Sequence, residues 1–188
     1  MDSQEVREYL VLLLLGTCES GLHSMLQIQK EFFNLWQSSE RIKPLIKFIP
    51  HYRGPYSEGL KDTIVSPMYL ENLWDYLPPN NRDKLTGGFI RINEEGRREF
   101  DRFINLVKEK NNKEIIQLIA AMRLLHDLYD NLSTEELLLM VYINPNNVDF
   151  ITKSEIYDSI VNSEIKEKLY QRIKEVNPDL IEMRDLDE

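Results

Sequence analysis

The sequence contains a single cysteine, Cys18, in 188 residues. An internal disulfide is therefore impossible, and a reducing compartment is the simplest location for the chain. Glycine is also scarce, with seven residues, which argues against a loop-rich or disordered protein. Hydrophobic residues make up 42% of the chain, so we expect about one domain with a real core.

No apolar run is long enough to cross a bilayer. The longest candidate, Leu10–Leu15, is far shorter than the roughly 20 residues that a spanning helix needs. The start of the chain is also a poor signal peptide, because acidic residues outnumber Arg7 where positive charge is required. We predict a cytoplasmic protein without a membrane segment.

Positive charge is in short supply, with 23 Lys and Arg against 32 Asp and Glu, a net charge of −9. Residues 1–110 carry 15 against 16, and residues 111–188 carry 8 against 16. Such an acidic chain lacks the basic footprint of proteins that bind nucleic acid by neutralising phosphates. Only the first part is neutral enough to hold a local basic patch.

Catalytic motifs are missing as well. The chain has no glycine-rich phosphate loop, nucleophile elbow or His-Glu-x-x-His sequence. None of His23, His51 and His126 lies at zinc-ligand spacing from another or from Cys18. The pair His126-Asp127 matches part of a metal phosphohydrolase motif, but its other ligands would have to be distant histidines. We predict no catalytic residue, no metal and no cofactor.

Hydrophobic spacing predicts several helices in the first 110 residues. The first begins at a Ser3 cap and ends near residues 16–21, and the second runs from about Leu22 to Gln37. Ser57 caps a third helix, which resumes over Met68–Leu77 after a proline break.

Two short extended segments interrupt these helices. Phe48–Tyr52 is β-favouring and leads into a turn at Gly54-Pro55, and Phe89–Ile92 has the alternation of a hairpin strand. Asn93 caps the helix that follows. This order predicts a mainly α, winged-helix-like domain with a short β-hairpin.

The sequence predicts an acidic helical extension over residues 111–188. A long amphipathic helix covers residues 115–128, and Ser133 with Glu136 forms a capping box. Further helix caps are predicted at Thr152 or Ser154 and at Ser163. We expect a winged-helix-like core over residues 1–110, with residues 111–188 packed on it as one structural unit.

One basic cluster, Arg41, Lys43, Lys47 and Arg53, stands without an acidic residue between Glu40 and Glu58. Beside a recognition helix it could meet phosphates. It could equally bind an acidic partner protein, or pair with the acidic half of its own chain.

The stretch Lys47–Ser57 organises the rest of the chain, and it contains the candidate partner-binding segment His51-Tyr52-Arg53-Gly54-Pro55-Tyr56-Ser57. Pro55 fixes φ, Gly54 can adopt a conformation closed to other residues, and Tyr56 can anchor the turn with its ring. The segment either sets the angle between strand and helix or contacts a partner through His51, Tyr52, Arg53 and Tyr56.

Four motifs in this order carry a family resemblance: Leu26-Gln27-Ile28-Gln29-Lys30, Gly54-Pro55-Tyr56-Ser57, Asn93-Glu94-Glu95-Gly96, and Ser133 to Tyr142 with its proline stop at Pro145. Over residues 5–145 the chain resembles the Panacea domain, the SocA-like antitoxin family, and its YwgA-like relatives. The chain departs from the family at Asn93, which replaces a threonine, at Ile28, which interrupts the leucine-glutamine-lysine pattern, and in its long acidic extension.

The resemblance implies a non-enzymatic interaction module, and residues 51–57 are our candidate partner-binding site in it. Such a protein would neutralise a toxin by direct contact, act as an adaptor, or serve as a subunit of an anti-phage defence system. A homo-oligomer is also compatible with it. The alternative is a winged-helix transcriptional regulator that binds DNA through the second helix and the Arg41–Arg53 cluster.

Overall fold

A computed structural model of the protein describes residues 2–18, 22–81 and 84–185, with side chains as far as residue 181. The chain is mainly helical, as its sequence predicts, with a small amount of strand. The helices are α1 (Ser3–Thr17), α2 (Met25–Ser38), α3 (Glu58–Val65), α4 (Glu94–Glu109), α5 (Lys113–Tyr129), α6 (Thr134–Tyr142), α7 (Val148–Ile151), α8 (Tyr157–Val161), α9 (Ser163–Val176) and α10 (Pro178–Asp185). The strands are β1 (Leu22–Ser24), β2 (Ile49–His51), β3 (Gly54–Tyr56), β4 (Trp74–Leu77) and β5 (Phe89–Ile92). None of the helices described has the length and apolar character needed to cross a membrane.

The chain divides into two compact units. Unit 1 comprises Met1–Lys47 and Ser57–His126, and unit 2 comprises Phe48–Tyr56 and Asp127–Glu188. The charge distribution suggested a division near residue 110, whereas these units group residues by contact and place the β2–β3 segment with the C-terminal helices.

Helix α1 is the centre of unit 1. Every residue of the run Leu10–Leu15 is buried, and a helix that is apolar on all sides must be enclosed by its neighbours. It packs against α3, α4 and β5. The apolar run that could not span a membrane therefore forms the core of a globular unit.

Unit 1 also holds a three-stranded antiparallel sheet in the order β1-β5-β4. Trp74 of β4 lies opposite Ile92 of β5, and its indole N–H donates to the Ile64 carbonyl at the end of α3. Gly96 lies one turn into α4, where a Cβ atom would overlap the Leu73 carbonyl oxygen. The N-terminal end of α4 can therefore pack directly on the backbone that enters β4.

Two helix predictions in unit 1 are wrong. Leu22–Ser24 forms β1 rather than the start of α2, and residues 68–77 form a loop and β4 rather than a helix. The loop is held by Glu8, whose buried carboxylate accepts hydrogen bonds from the N–H groups of three successive residues, 68–70, at 2.7–2.8 Å. The pairing of β4 with β5 then takes the backbone hydrogen bonds that a helix would need.

Three predicted helix N-caps are confirmed. Ser57 accepts the N–H of the third residue of α3, and Asn93 does the same at α4. Ser133 and Glu136 form the reciprocal capping box at α6. These short polar motifs act within one helical turn, which is why the sequence predicts them well.

The other predicted caps are wrong. They are Ser3, Ser163, and the pair Thr152 and Ser154. Asp2 caps α1 and Asn162 caps α9, each from one position earlier in the sequence. The N-cap position of α8 is Ile156, which provides no side-chain hydrogen bond.

Candidate functional site

The segment of residues 51–57 is a tight two-stranded ribbon whose turn lies earlier than predicted. Tyr52 and Arg53 connect β2 to β3, while Gly54 and Pro55 belong to β3 itself. The predicted Gly54-Pro55 turn is therefore wrong by two residues. Gly54 does have the positive φ that the sequence analysis anticipated, +79°, because the chain leaves the turn there.

Aromatic rings and one guanidinium group form a cluster on this ribbon. The His51 ring stacks on Tyr56 at 4.4 Å between centroids and contacts Tyr52 at 4.0 Å. The Arg53 guanidinium lies 4.8 Å from the centre of the Tyr52 ring, within cation–π range. Tyr52 is 39% exposed and Ile49 is 42% exposed. We call His51, Tyr52, Arg53 and Tyr56 the aromatic turn.

The backbone of the aromatic turn is fixed within unit 2. The Tyr52 carbonyl accepts hydrogen bonds from the Ser154 hydroxyl and the Glu155 N–H, each at 3.2 Å. Ser154 in turn lies 2.7 Å from the Tyr142 hydroxyl. Burial raises the pKa of Tyr142, although the Ser154 hydrogen bond and the charge of Arg53 partly oppose it. The exposed side chains are thus presented by a backbone that is already ordered.

Ser57, the last residue of the predicted site, lies in unit 1 and is 1% exposed. Its N–H donates to the Gln29 side-chain oxygen at 2.8 Å, and the Gln29 amide N–H donates back to the Ser57 carbonyl at 2.9 Å. Gln29 thereby pairs with Ser57 as a neighbouring strand would. This contact connects two motifs that the sequence placed 28 residues apart, and it makes Ser57 structural rather than a contact residue.

Two of the four residues of the predicted basic cluster pair with acidic neighbours. Arg41 forms a bidentate ion pair with Glu114, and Lys43 pairs with Glu40 at 2.5 Å. Lys47 is exposed in unit 1, whereas Arg53 belongs to the aromatic turn of unit 2. The first two residues therefore offer little free positive charge for phosphates.

Unit 1 encloses a group of polar side chains that the sequence analysis did not bring together: Cys18, His23 and His126. Their ligand-type atoms all lie within 4.8 Å of one another, and all three residues are buried. The Cys18 sulfur is 2.7 Å from Nε2 of His126, and the two imidazole rings are 4.7 Å apart. Cys18 follows the end of α1, His23 is the central residue of β1, and His126 lies near the end of α5. No local spacing rule could detect this group, since 108 residues separate its first and last members.

A carboxylate extends this buried group. Glu31 Oε1 lies 3.5 Å from Nδ1 of His126 and accepts a 2.8 Å hydrogen bond from the Gln27 amide. Burial by itself would lower the pKa of His126, but the neighbouring Cys18 sulfur and Glu31 carboxylate raise it to about 10. These two neighbours therefore favour the protonated form of His126.

The spatial arrangement of these side chains is that of a cysteine hydrolase, with a nucleophile, a base and a carboxylate in the positions of Cys18, His126 and Glu31. However, Cys18 is only 1% exposed and His126 only 4% exposed. A catalytic thiolate must be reached by its substrate and therefore occupies partly exposed surroundings. The arrangement suits an enclosed ion or a structural network better than catalysis.

Unit 1 also has an open apolar pocket of about 390 Å³ between α1, α4 and the first two turns of α5. Tyr9, Leu13, Phe103 and Leu118 are among its lining residues, with Arg41 at one side. Its size and apolar lining are within the range of pockets that bind small molecules. Nothing among its lining residues indicates a reaction.

No protein-family model matches the chain, and no curated protein or solved structure shows significant similarity to it.

Proposed function

We propose that the protein is a non-enzymatic, cytoplasmic protein-binding module of the Panacea type. It acts as an antitoxin or as a subunit of an anti-phage defence system by contacting its partner through the aromatic turn. The proposal rests on the resemblance centred on Gly54-Pro55-Tyr56-Ser57 and on the exposure of Tyr52 in an ordered ribbon. The lone cysteine supports the cytoplasmic location.

The composition of the aromatic turn supports a role in partner contact. Tyrosine and arginine are enriched among the residues that carry most of the binding energy at protein interfaces. Tyr52 combines an exposed ring with a backbone fixed by Ser154 and Glu155, so little conformational entropy is lost when a partner covers it. Ile49 on the neighbouring strand adds apolar area to the same ribbon.

Charge indicates the kind of partner. Unit 2 carries 15 Asp and Glu against 7 Lys and Arg, a net charge of −8. Complementary charge accelerates association and suppresses incorrect partners. The expected partner therefore has a basic surface around an apolar or aromatic recess that receives Tyr52.

A winged-helix arrangement of unit 1 is part of the proposal. It is supported by the succession α1, β1, α2, α3, β4, β5, α4 and by the sheet order β1-β5-β4. This topology is also found in DNA-binding regulators, which keeps that alternative open. The neutralised Arg41 and Lys43 and the overall acidity favour a protein partner over a nucleic acid.

Co-expression tests the proposal. The full chain is produced together with the products of the adjacent open reading frames, and the purified material is sized by gel filtration with light scattering. A stable hetero-complex, above all with a neighbour that is toxic on its own, is the expected result.

The opposite outcome is equally informative. A chain that elutes alone in every combination, and that shifts its own promoter DNA at low salt, would replace protein binding with DNA binding. In that case Arg53→Glu should weaken the gel shift, and rising salt should abolish it.

A further inference from the structure

The buried group of Cys18, His23 and His126 carries three donor atoms of the kinds that zinc prefers, one sulfur and two imidazole nitrogens. We propose that these three residues bind one zinc ion inside unit 1. The inference is independent of the protein-binding proposal, because it concerns the interior of unit 1 and not the aromatic turn.

His23 is the residue that most requires an additional partner. Its side chain is fully buried, and neither ring nitrogen has a hydrogen-bond partner among the residues described. Leaving such a polar group unsatisfied in the interior costs folding free energy, so native structures usually provide a partner, an ordered water or an ion. Since the ring faces His126 at 4.7 Å, an ion between the two imidazoles would satisfy one of these nitrogens.

His126 has a carboxylate close to its second ring nitrogen, at ion-pair distance. Histidines that bind metals usually donate their second ring N–H to a carboxylate, which fixes the tautomer and orients the ring. Here Nε2 faces Cys18, while Nδ1 lies 3.5 Å from Glu31, itself held by Gln27. Glu31 therefore acts as a positioning residue behind the zinc ligand His126.

The donor set also identifies the ion. Magnesium, calcium and manganese prefer oxygen ligands, which are missing from this set of three, whereas thiolate and imidazole together suit zinc. At zinc bond lengths and a tetrahedral angle, a sulfur and a nitrogen ligand lie about 3.5 Å apart. The 2.7 Å between Cys18 and His126 would open by about 0.8 Å on binding. One coordination position is left for a water molecule or a small anion.

Zinc at this position would connect three elements of unit 1. Cys18 directly follows α1, His23 is central in β1, and His126 belongs to α5. The residues are 5 and 103 positions apart in sequence. We expect the ion to stabilise the fold of unit 1, because it binds the folded arrangement and not the unfolded chain.

The first test measures metal content on the full-length chain. The protein is purified, stripped with a chelator, incubated with zinc, passed through a desalting column and measured for metal by mass spectrometry. One zinc per chain is expected. Cys18→Ser, His23→Gln and His126→Gln should each lose it, and the matched control His51→Gln, at the third histidine of the chain, should retain it.

Cobalt provides a readout specific to the ligands. Co²⁺ added to the stripped chain should give a thiolate-to-cobalt charge-transfer band and the visible bands of tetrahedral cobalt. Cys18→Ser should remove the charge-transfer band, and zinc should displace the cobalt. Glu31→Gln, which leaves the three ligands in place, should weaken zinc binding about 10–100-fold without removing the band.

The test does not require that every ligand variant folds. The cobalt spectrum of the wild-type chain and the zinc affinity of Glu31→Gln test the proposal without them. Failure of the wild-type chain to retain stoichiometric zinc, or a cobalt spectrum without the thiolate band, would overturn it. Zinc retained by Cys18→Ser and His126→Gln would place the metal elsewhere. Copper instead of zinc in the protein as purified would overturn the choice of ion.

Discussion

Replacing Gln29 should reveal how strongly the start of α3 depends on one side chain of α2. Gln29→Met has nearly the same volume but removes both hydrogen bonds to the buried backbone of Ser57. The Ser57 N–H would lose the partner that Gln29 provides, at a cost of about 1–3 kcal/mol. The Ser57 carbonyl would keep the N–H of Lys61, so it loses only one of its two bonds, worth about 1 kcal/mol. We expect unit 1 to be destabilised by about 2–4 kcal/mol.

Urea denaturation followed by tryptophan fluorescence measures this change. Both tryptophans of the chain, Trp36 and Trp74, lie in unit 1, so their fluorescence reports the unfolding of that unit. With a slope of about 2 kcal/mol/M, the midpoint should fall by about 1–2 M. The control Gln117→Met, at an exposed position of α5, should leave the free energy of unfolding within about 0.5 kcal/mol of wild type. An unchanged midpoint for Gln29→Met would refute the reasoning.

Three further predictions test other parts of the fold. Glu8→Gln should lower the free energy of unfolding of unit 1 by about 2–4 kcal/mol, measured by urea denaturation. The reason is that one amide oxygen cannot replace a carboxylate that accepts hydrogen bonds from the three N–H groups of residues 68–70. A midpoint equal to wild type would contradict this prediction. Gly96→Ala should lower the free energy of unfolding by about 3 kcal/mol or more in the same assay, since the new Cβ overlaps the Leu73 carbonyl. A Gly96→Ala protein as stable as wild type would show that α4 packs less closely than the structure has it. The folded pKa of Tyr142 lies above its ordinary value of 10.0, so the stability it contributes is fully present below pH 10 and falls as the pH rises through the folded value. Tyr142→Phe should reduce that alkaline loss in denaturation curves measured by circular dichroism, and equal losses in both proteins would exclude this cause.

Local signals in the sequence predict most of the longer helices and several of their ends. The capping box of Ser133 and Glu136 and the caps at Ser57 and Asn93 were all identified because each acts within a single turn. The long helix over residues 115–128 was predicted from its apolar periodicity and lies within α5.

Predictions failed where a distant residue decides the local structure. Residues 68–77 have a helical apolar pattern, but Glu8, some 60 positions earlier, binds the N–H groups of the loop and β5 pairs with Trp74–Leu77. Similarly, Leu22–Ser24 becomes a strand only because β5 lies beside it. Tertiary contacts override propensity in both cases.

The two candidate sites also differ in whether the sequence alone could predict them. The sequence predicts the aromatic turn, although the chain reverses at Tyr52 and Arg53 rather than at Gly54-Pro55, and Ser57 is buried in unit 1. The group of Cys18, His23 and His126 could not be predicted, because its members come from α5 and from two segments at the start of the chain. The pairing of Gln29 with Ser57 was equally hidden, although both residues fall within motifs that the sequence analysis had singled out.

The central claim is that the aromatic turn is the surface that binds a partner. It is tested most directly by titrating the co-purified partner into wild-type chain and into Tyr52→Ala, with binding measured by calorimetry. The account predicts that Tyr52→Ala weakens binding at least tenfold, since an interface hot spot contributes about 2 kcal/mol or more. Tyr69→Ala removes a tyrosine of unit 1 that is at least as exposed as Tyr52, and it should bind as wild type does. A Tyr52→Ala chain that binds its partner as tightly as wild type would contradict the account.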